Sequence, residues 1–239
     1  MKRSTMLMLL LLLFNSGCGK REGGVETIKM AGEEHSRVLV RISIDSDGKV
    51  FLQGKEKSLT ELECYLRENV IKYGTDIVIE FSAPPELPYK KLEPVILKTS
   101  FSALGLFEYM FALPGEKSLR CSSDYVVSCG PPGMIDVIVH IPSDPAGEEC
   151  RKKRCLSYKL TFRDDYGRAG SGEIKGLESH RVTDVELRKL ALLETYKGRP
   201  YIIKLAPEPN TSFGEFYHTI KLTSPNSNSW PSLNVMAKR

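Results

Sequence analysis

The feature that most restricts this chain is its repetition of itself. At a constant separation of 124 residues, Ile79 falls on Ile203, Phe81 on Leu205, Tyr89 on Phe213, Leu92 on Phe216 and Ile96 on Ile220. Prolines follow the strand in both copies: Pro84, Pro85 and Pro88 in the first, Pro207 and Pro209 in the second. Helix-start signals recur too. Ser58-Leu-Thr-Glu61 and Thr183-Asp-Val-Glu186 both read as capping boxes, in which the hydroxyl accepts an amide N–H and the glutamate reaches back to the cap. They lie 125 residues apart, so one residue is gained or lost between helix and strand. Short apolar strands match by chance; matched order, spacing, caps and prolines together point to duplication.

Within the first copy, residues 38–44 alternate as a half-buried strand, Asp45-Ser-Asp-Gly48 is a turn, and residues 49–52 return as a second strand. Leu59, Leu62, Leu66, Val70 and Tyr73 share one helical face, and Gly74 ends that helix. Residues 77–81 form a short apolar strand. Tyr89, Leu92 and Ile96 mark a second helix, with Pro94 in its first turn or at a kink. Residues 106–113 are a last strand. In the second copy, residues 158–162 and 201–205 read as strands. Leu187, Leu190 and Leu193 read as one helix. Phe213, Phe216 and Ile220 read as another, opened by a third capping box at Ser212-Phe-Gly-Glu215. Trp230 stands where the first copy has Leu106 and reads as core. The expected fold is α+β: two modules over residues 37–113 and 134–239, each a small mixed sheet with two helices packed on one face, joined by a linker over 114–133.

Ahead of the modules, Lys2 and Arg3 form a basic start, residues 6–14 are nine consecutive apolar residues, and Asn15, Ser16 and Gly17 lead to Cys18. This reads as a signal peptide over residues 1–17. Nine helical residues reach ~14 Å, about half of a hydrocarbon core, which makes a poor transmembrane anchor. A small residue before a cysteine looks like a lipobox, with Cys18 as the lipidation site. Asn15 departs from that pattern, which has an apolar residue three before the cysteine. Plain secretion and a short uncleaved anchor are the alternatives. Gly19, in place of an aspartate that would retain the protein at the inner membrane, favours the outer membrane. Residues 18–36 are rich in glycine and charge and read as a lipidated, flexible tether. Loss of Lys2 and Arg3 takes the net charge from +4 to +2, which offers no global argument for nucleic acid or an anionic membrane surface.

Export permits disulfides. Cys121 and Cys129 bracket one short loop, and Cys150 and Cys155 another. Pairing within each bracket is the simplest scheme, with crossed schemes and a zinc site as alternatives. Cys64 lies within the first helix and reads as a small buried hydrophobe.

The first copy resembles the periplasmic domain of the biopolymer-transport ExbD/TolR family. The segments that carry the likeness are VRISIDSDGKVFLQGK, SLTELECYLRENV, IVIEF and PYKKLEPVILKTSFSALGL. Their order matches a hairpin with Asp-Gly, a capped helix, an apolar strand, and a proline-tyrosine helix start that ends at a glycine. The second copy is similar more loosely, mainly over residues 182–236. The resemblance implies an envelope-side interaction domain that dimerises and meets protein or cell-wall partners. A tandem copy could supply both halves of such a pair. Ion-coupling members carry a transmembrane helix with an embedded aspartate; residues 6–14 hold no acidic residue, so that motor role is not implied.

Catalytic patterns are missing from the sequence. The Asp45 loop fails as a calcium site because Lys49 and Val50 stand where an oxygen ligand and a glycine are needed. His35, His140, His180 and His218 are scattered, and no nucleophile elbow, phosphate loop or zinc-protease motif occurs. Asp164 and Asp165 precede Tyr166-Gly167 and read as a turn. No enzyme, cofactor or metal is expected. Arg151, Lys152, Lys153 and Arg154, between Cys150 and Cys155, read as a solvated loop or as a basic knuckle for anionic lipid or wall polymer. The leading expectation is an envelope interaction module. The alternative is a solute- or polymer-binding lipoprotein with a ligand cleft between the two modules.

Overall fold

The computed structural model describes residues 26–30, 34–74, 76–102, 108–123, 134–143, 157–163, 180–224 and 231–233. Among them the chain runs β1 (Glu26–Lys29), β2 (Ser36–Ile44), β3 (Val50–Leu52), β4 (Lys55–Lys57), α1 (Leu59–Tyr73), β5 (Ile77–Ser82), α2 (Tyr89–Ser102), β6 (Glu108–Ala112) and β7 (Leu119–Ser123). It continues through β8 (Ile135–Ile141), β9 (Ser157–Arg163), β10 (His180–Thr183), α3 (Asp184–Ala191), β11 (Tyr201–Pro207), α4 (Phe213–Thr223) and β12 (Ser232–Leu233). The result is a mixed α/β fold on one large mixed sheet.

The sheet path is β10-β9-β8-β11-β12-β7-β6-β5-β2-β3-β4, with β1 added beside β2. Read outward from β7, the order is the same in both directions. Parallel β2, β5 and β6 face parallel β8, β11 and β12, and an antiparallel hairpin closes each end. Register gives the equivalences. Val38 pairs with Ile77 and Ile135 with Tyr201, so β8 replaces β2 at a separation of 97 residues. Leu52 pairs with Ile42 and Leu160 with Val139, so β9 replaces β3 at 108. Lys55 opposite Leu52 becomes His180 opposite Leu160, at 125. The second half thus gains 11 residues between β8 and β9 (97 to 108) and 17 between β9 and β10 (108 to 125).

One face of the sheet carries the helices. Val38, Val40, Ile42 and Ile44 alternate into the same buried cluster as Ile135, Val137, Val139 and Ile141, together with Leu62 and Leu66 of α1, Leu92 and Ile96 of α2, Leu187 of α3 and Phe216 and Ile220 of α4. Period-two strands and period-3.6 helices therefore aim their apolar sides at one shared layer. The halves meet through the segments before α2 and α4. Tyr89 N–H donates to Thr211 O at 2.7 Å, and Phe213 N–H donates to Leu87 O at 2.8 Å. Lys90 N–H donates to Pro209 O, and Gly214 N–H to Pro85 O, both at 2.8 Å. Each pair of bonds interchanges under a shift of 124 residues. At Gly214 a β-carbon would stand 3.2 Å from the Pro85 carbonyl oxygen, which explains why this approach uses glycine. Phe111, Phe216 and Tyr89 fill the seam, with ring centroids at 4.9 Å (Phe111–Phe216) and 5.6 Å (Tyr89–Phe216).

Several sequence expectations change. Glu26 begins a strand inside the segment read as a tether, because Ile28 and Met30 pack against Leu39, Val78 and Met110 on the sheet's other face, and Arg41 binds Glu26 at 2.7 Å. The segment read as a linker contains β7, the middle strand of the sheet, so the two halves share one sheet and one core instead of forming separate domains. Pro94 lies inside α2, beyond its first turn. Leu193 lies past the end of α3 and is half exposed. Trp230 lies outside the described residues.

All three capping boxes form. Glu61 accepts from the Ser58 amide at 2.8 Å, and Glu186 accepts from the Thr183 amide at 2.8 Å. These amide bonds, then the cap hydroxyls, hold both carboxyls below their ordinary value of 4.5. A depressed folded-state value means the contribution is complete above the ordinary carboxylate range and is lost as pH falls through the lower folded value. Ser58→Ala and Thr183→Ala should each cost about 1 kcal/mol in urea unfolding at neutral pH. The Glu61→Gln protein should show a shallower loss of stability on acidification; an unchanged acid limb would remove this account of the boxes.

Candidate interaction surface

Among the described residues the main sheet path ends at β4 and β10, with β1 paired to β2 alone beside the β4 end. Both end strands are short, and both carry charge: Lys55, Glu56 and Lys57 on one, Arg181 on the other. Short charged edges resist indiscriminate strand pairing. The edges differ in what flanks them. Beside β4, α1 runs 15 residues and Val70 and Tyr73 pack on the core. Beside β10, α3 stops after 8 residues. The single Tyr201 hydroxyl proton is shared between the Leu190 carbonyl at 2.5 Å and the Leu193 carbonyl at 3.0 Å, and so caps the end of the helix. A tight turn then follows, with Lys197 at φ 50° and Gly198 at φ 74°, pairing Tyr196 with Arg199.

The shorter helix opens a recess of about 320 Å³. Leu160, Val182 and Leu190 form its floor, Tyr196 one wall, and Arg181, Lys189 and Glu186 its charged rim. The wall is stiff: Tyr196 stacks on Phe162 at 4.9 Å, and Phe162 stacks on His180 at 5.7 Å. Such a site offers apolar contact and a rim of mixed charge.

A histidine–carboxylate pair lies at the other end of α3. His218 on α4 meets Asp184 at 2.9 Å. Asp184 is 34 residues away from His218 in sequence, and only the packing of α3 on α4 joins them. Tyr158, whose hydroxyl is within reach of Thr219 at 3.4 Å, is fully buried, and burial pushes its phenol far up. The pair therefore has a buried, protonated hydroxyl as its neighbour, a poor nucleophile. Among the described residues no group of three or more His, Cys, Asp or Glu side chains is placed to hold a metal.

Of the sites expected from sequence, Cys121 is buried in β7, its sulfur 3.7 Å from the Ser122 carbonyl. Cys129, Cys150, Cys155, Cys18 and the basic run Arg151, Lys152, Lys153 and Arg154 lie outside the described residues. That run belongs to the β8–β9 connection, which is longer in the second half. Cys64 is half-buried on α1, less covered than the buried hydrophobe expected there. Among the described residues no helix is long and apolar enough to cross a membrane. Comparisons with protein-family models, curated proteins and solved structures find no match for this chain.

Proposed function

We propose that this protein is a non-enzymatic envelope lipoprotein, anchored through Cys18 and facing the periplasm, most consistent with the outer membrane. Its halves are two duplicated modules of ExbD/TolR-like type, closed on each other as an internal pair. It serves as the interaction module of a biopolymer-transport or envelope-integrity system. The observation that carries this reading is the reciprocal hydrogen-bond set at the seam, where Tyr89–Thr211 and Phe213–Leu87 exchange under a 124-residue shift. A module that normally pairs with a copy of itself, once duplicated, meets its own repeat in this way. The filled seam leaves the outer edges and helix faces for partners, and speaks against a ligand seat between the halves.

Two experiments test the reading. Cys18→Ala should move the protein from the membrane pellet to the soluble periplasmic fraction, since two acyl chains suffice for stable anchoring. Persistence in the pellet after a high-salt wash would end the lipid-anchor reading. The lipidated full chain, extracted in mild detergent, should co-purify with a multi-span membrane protein of the kind that ExbD/TolR-type domains serve. Isolation alone, with unchanged envelope permeability in a deletion strain, would overturn the transport role. Non-reducing peptide mapping should show Cys121 bonded to Cys129 and Cys150 to Cys155, with Cys64 reduced; a bridge from Cys64 to any of them would refute the pairing.

A further inference from the structure

Large apolar side chains left exposed are few among the described residues: Ile71, Val185, Leu192 and Leu193. Three of these four lie within nine residues, on α3 and just beyond its end. Val185, Arg188, Lys189 and Leu192 follow the spacing i, i+3, i+4, i+7 and so share one helical face. All four are exposed, on the side away from buried Leu187 and Leu190. The outward face of α3 is thus apolar at both ends and doubly basic between them. Leu193 extends it, and Arg181 on β10 adds a further cation at the rim of the adjoining recess. Acidic side chains lie beside the stripe: Glu186, engaged by the Thr183 cap, Asp184, held by His218, and exposed Glu194 next to Leu193.

The equivalent helix of the other half acts as an internal comparison. On α1 the exposed positions include Glu61, Arg67, Glu68, Ile71 and Lys72, with one isolated apolar residue, whereas α3 and its end set Glu186, Arg188, Lys189 and Glu194 around three exposed apolar residues. The duplication therefore does not dictate the α3 surface. Nor is the tip a frayed end. Tyr201 Oη ties down the Leu190 and Leu193 carbonyls, so the backbone is held while Leu192 and Leu193 project at 54% and 51% exposure.

We propose that the outer face of α3, with Val185, Leu192 and Leu193 set among Arg181, Arg188 and Lys189, docks on an anionic bilayer surface. A convex tip of leucines with flanking cations matches what an interface rewards: side chains entering the headgroup boundary and cations meeting lipid phosphates. A concave site with alternating pockets would instead fit a polypeptide. The inference rests on the envelope reading only because that reading puts a bilayer within reach. The contact is weak alone and acts as a second attachment that orients the protein.

The test is co-sedimentation of the full chain carrying Cys18→Ala, so that acylation plays no part. The probes are vesicles of phosphatidylethanolamine with phosphatidylglycerol, and vesicles of phosphatidylcholine alone. We expect binding to the anionic vesicles that falls steeply with added salt. The double variants Leu192→Ser/Leu193→Ser and Arg188→Gln/Lys189→Gln should each weaken it by about tenfold. Ile71→Ser should leave it unchanged. All these side chains are exposed, and circular dichroism melting verifies that the variants remain folded. Equal binding to neutral vesicles, or anionic binding that neither double variant reduces, overturns the proposal. So does vesicle binding that is absent while the same variants abolish co-purification of a protein partner. Failure here leaves the Cys18 fractionation result standing, so the two readings fall separately.

Discussion

Replacing Phe216 by alanine is expected to lower the stability of the whole protein by about 3–5 kcal/mol, in a single transition. Phe216 is fully buried, and its ring meets Phe111 of the first half at 4.9 Å and Tyr89 at 5.6 Å. Removing it leaves a cavity that neither half can close, because the seam backbone is fixed by four hydrogen bonds from both sides. The loss is a large part of the roughly 5–15 kcal/mol that a domain of this kind has in total. Since the sheet and core run through both halves, urea unfolding followed by far-UV and near-UV circular dichroism should give coincident curves, both displaced to lower urea. Two separated transitions, only one of them shifted, would show that the halves fold independently and that the shared core has been misjudged.

Lys204→Met is expected to cost about 3 kcal/mol or more, far beyond a surface charge change. Lys204 on β11 and Asp136 on β8 form an ion pair at 2.6 Å with side chains 8% and 1% exposed. Removing one partner takes the counter-charge from a carboxylate that water scarcely reaches, whereas removing both can be nearly neutral. The double variant Asp136→Leu/Lys204→Met should therefore recover most of the loss. Position 136 is equivalent to Leu39 of the first half, where an aliphatic side chain is buried in the same register, so leucine suits the site. A single variant costing under about 1 kcal/mol, or a double variant as unstable as the single, would contradict the buried pair.

How far the fold was legible depended on the range of the signal. Capping boxes at Ser58, Thr183 and Ser212 involve residues three apart, and all three form as read. The turn at Asp45 is equally local: the Asp45 carboxylate accepts from the amides of Asp47 and Lys49, and Gly48 supplies φ 87°. Strand β8 escaped assignment although residues 135–141 are strongly apolar. The repeat separation there is 97 and not 124, because insertions of 11 and 17 residues displace it, so a constant-offset comparison passes over it. The expected end of α3 at Leu193 is two residues past the observed one because Leu193 fits the helical period; the Tyr201 hydroxyl that caps the helix comes from a strand eight residues further on.

The candidate surface was the least legible part. The basic stripe on α3 gains its meaning from what the matching helix α1 lacks and from the recess left by the early stop. His218 and Asp184 are likewise brought together only by the packing of two helices.

The amino-acid sequence alone determined the helix starts, the Asp-Gly turn and the apolar faces, because each depends on periodicity or on contacts a few residues apart. Only the tertiary structure decided that β7, lying in a segment with no repeat partner, joins the halves into one sheet, that residues from Glu26 onward are strand, and that the seam is packed solid with rings. Those outcomes are set by register between strands far apart in the chain and by which faces close on each other. A linear pattern carries the tendency of each segment to form a strand or helix, but not the neighbour against which it is buried.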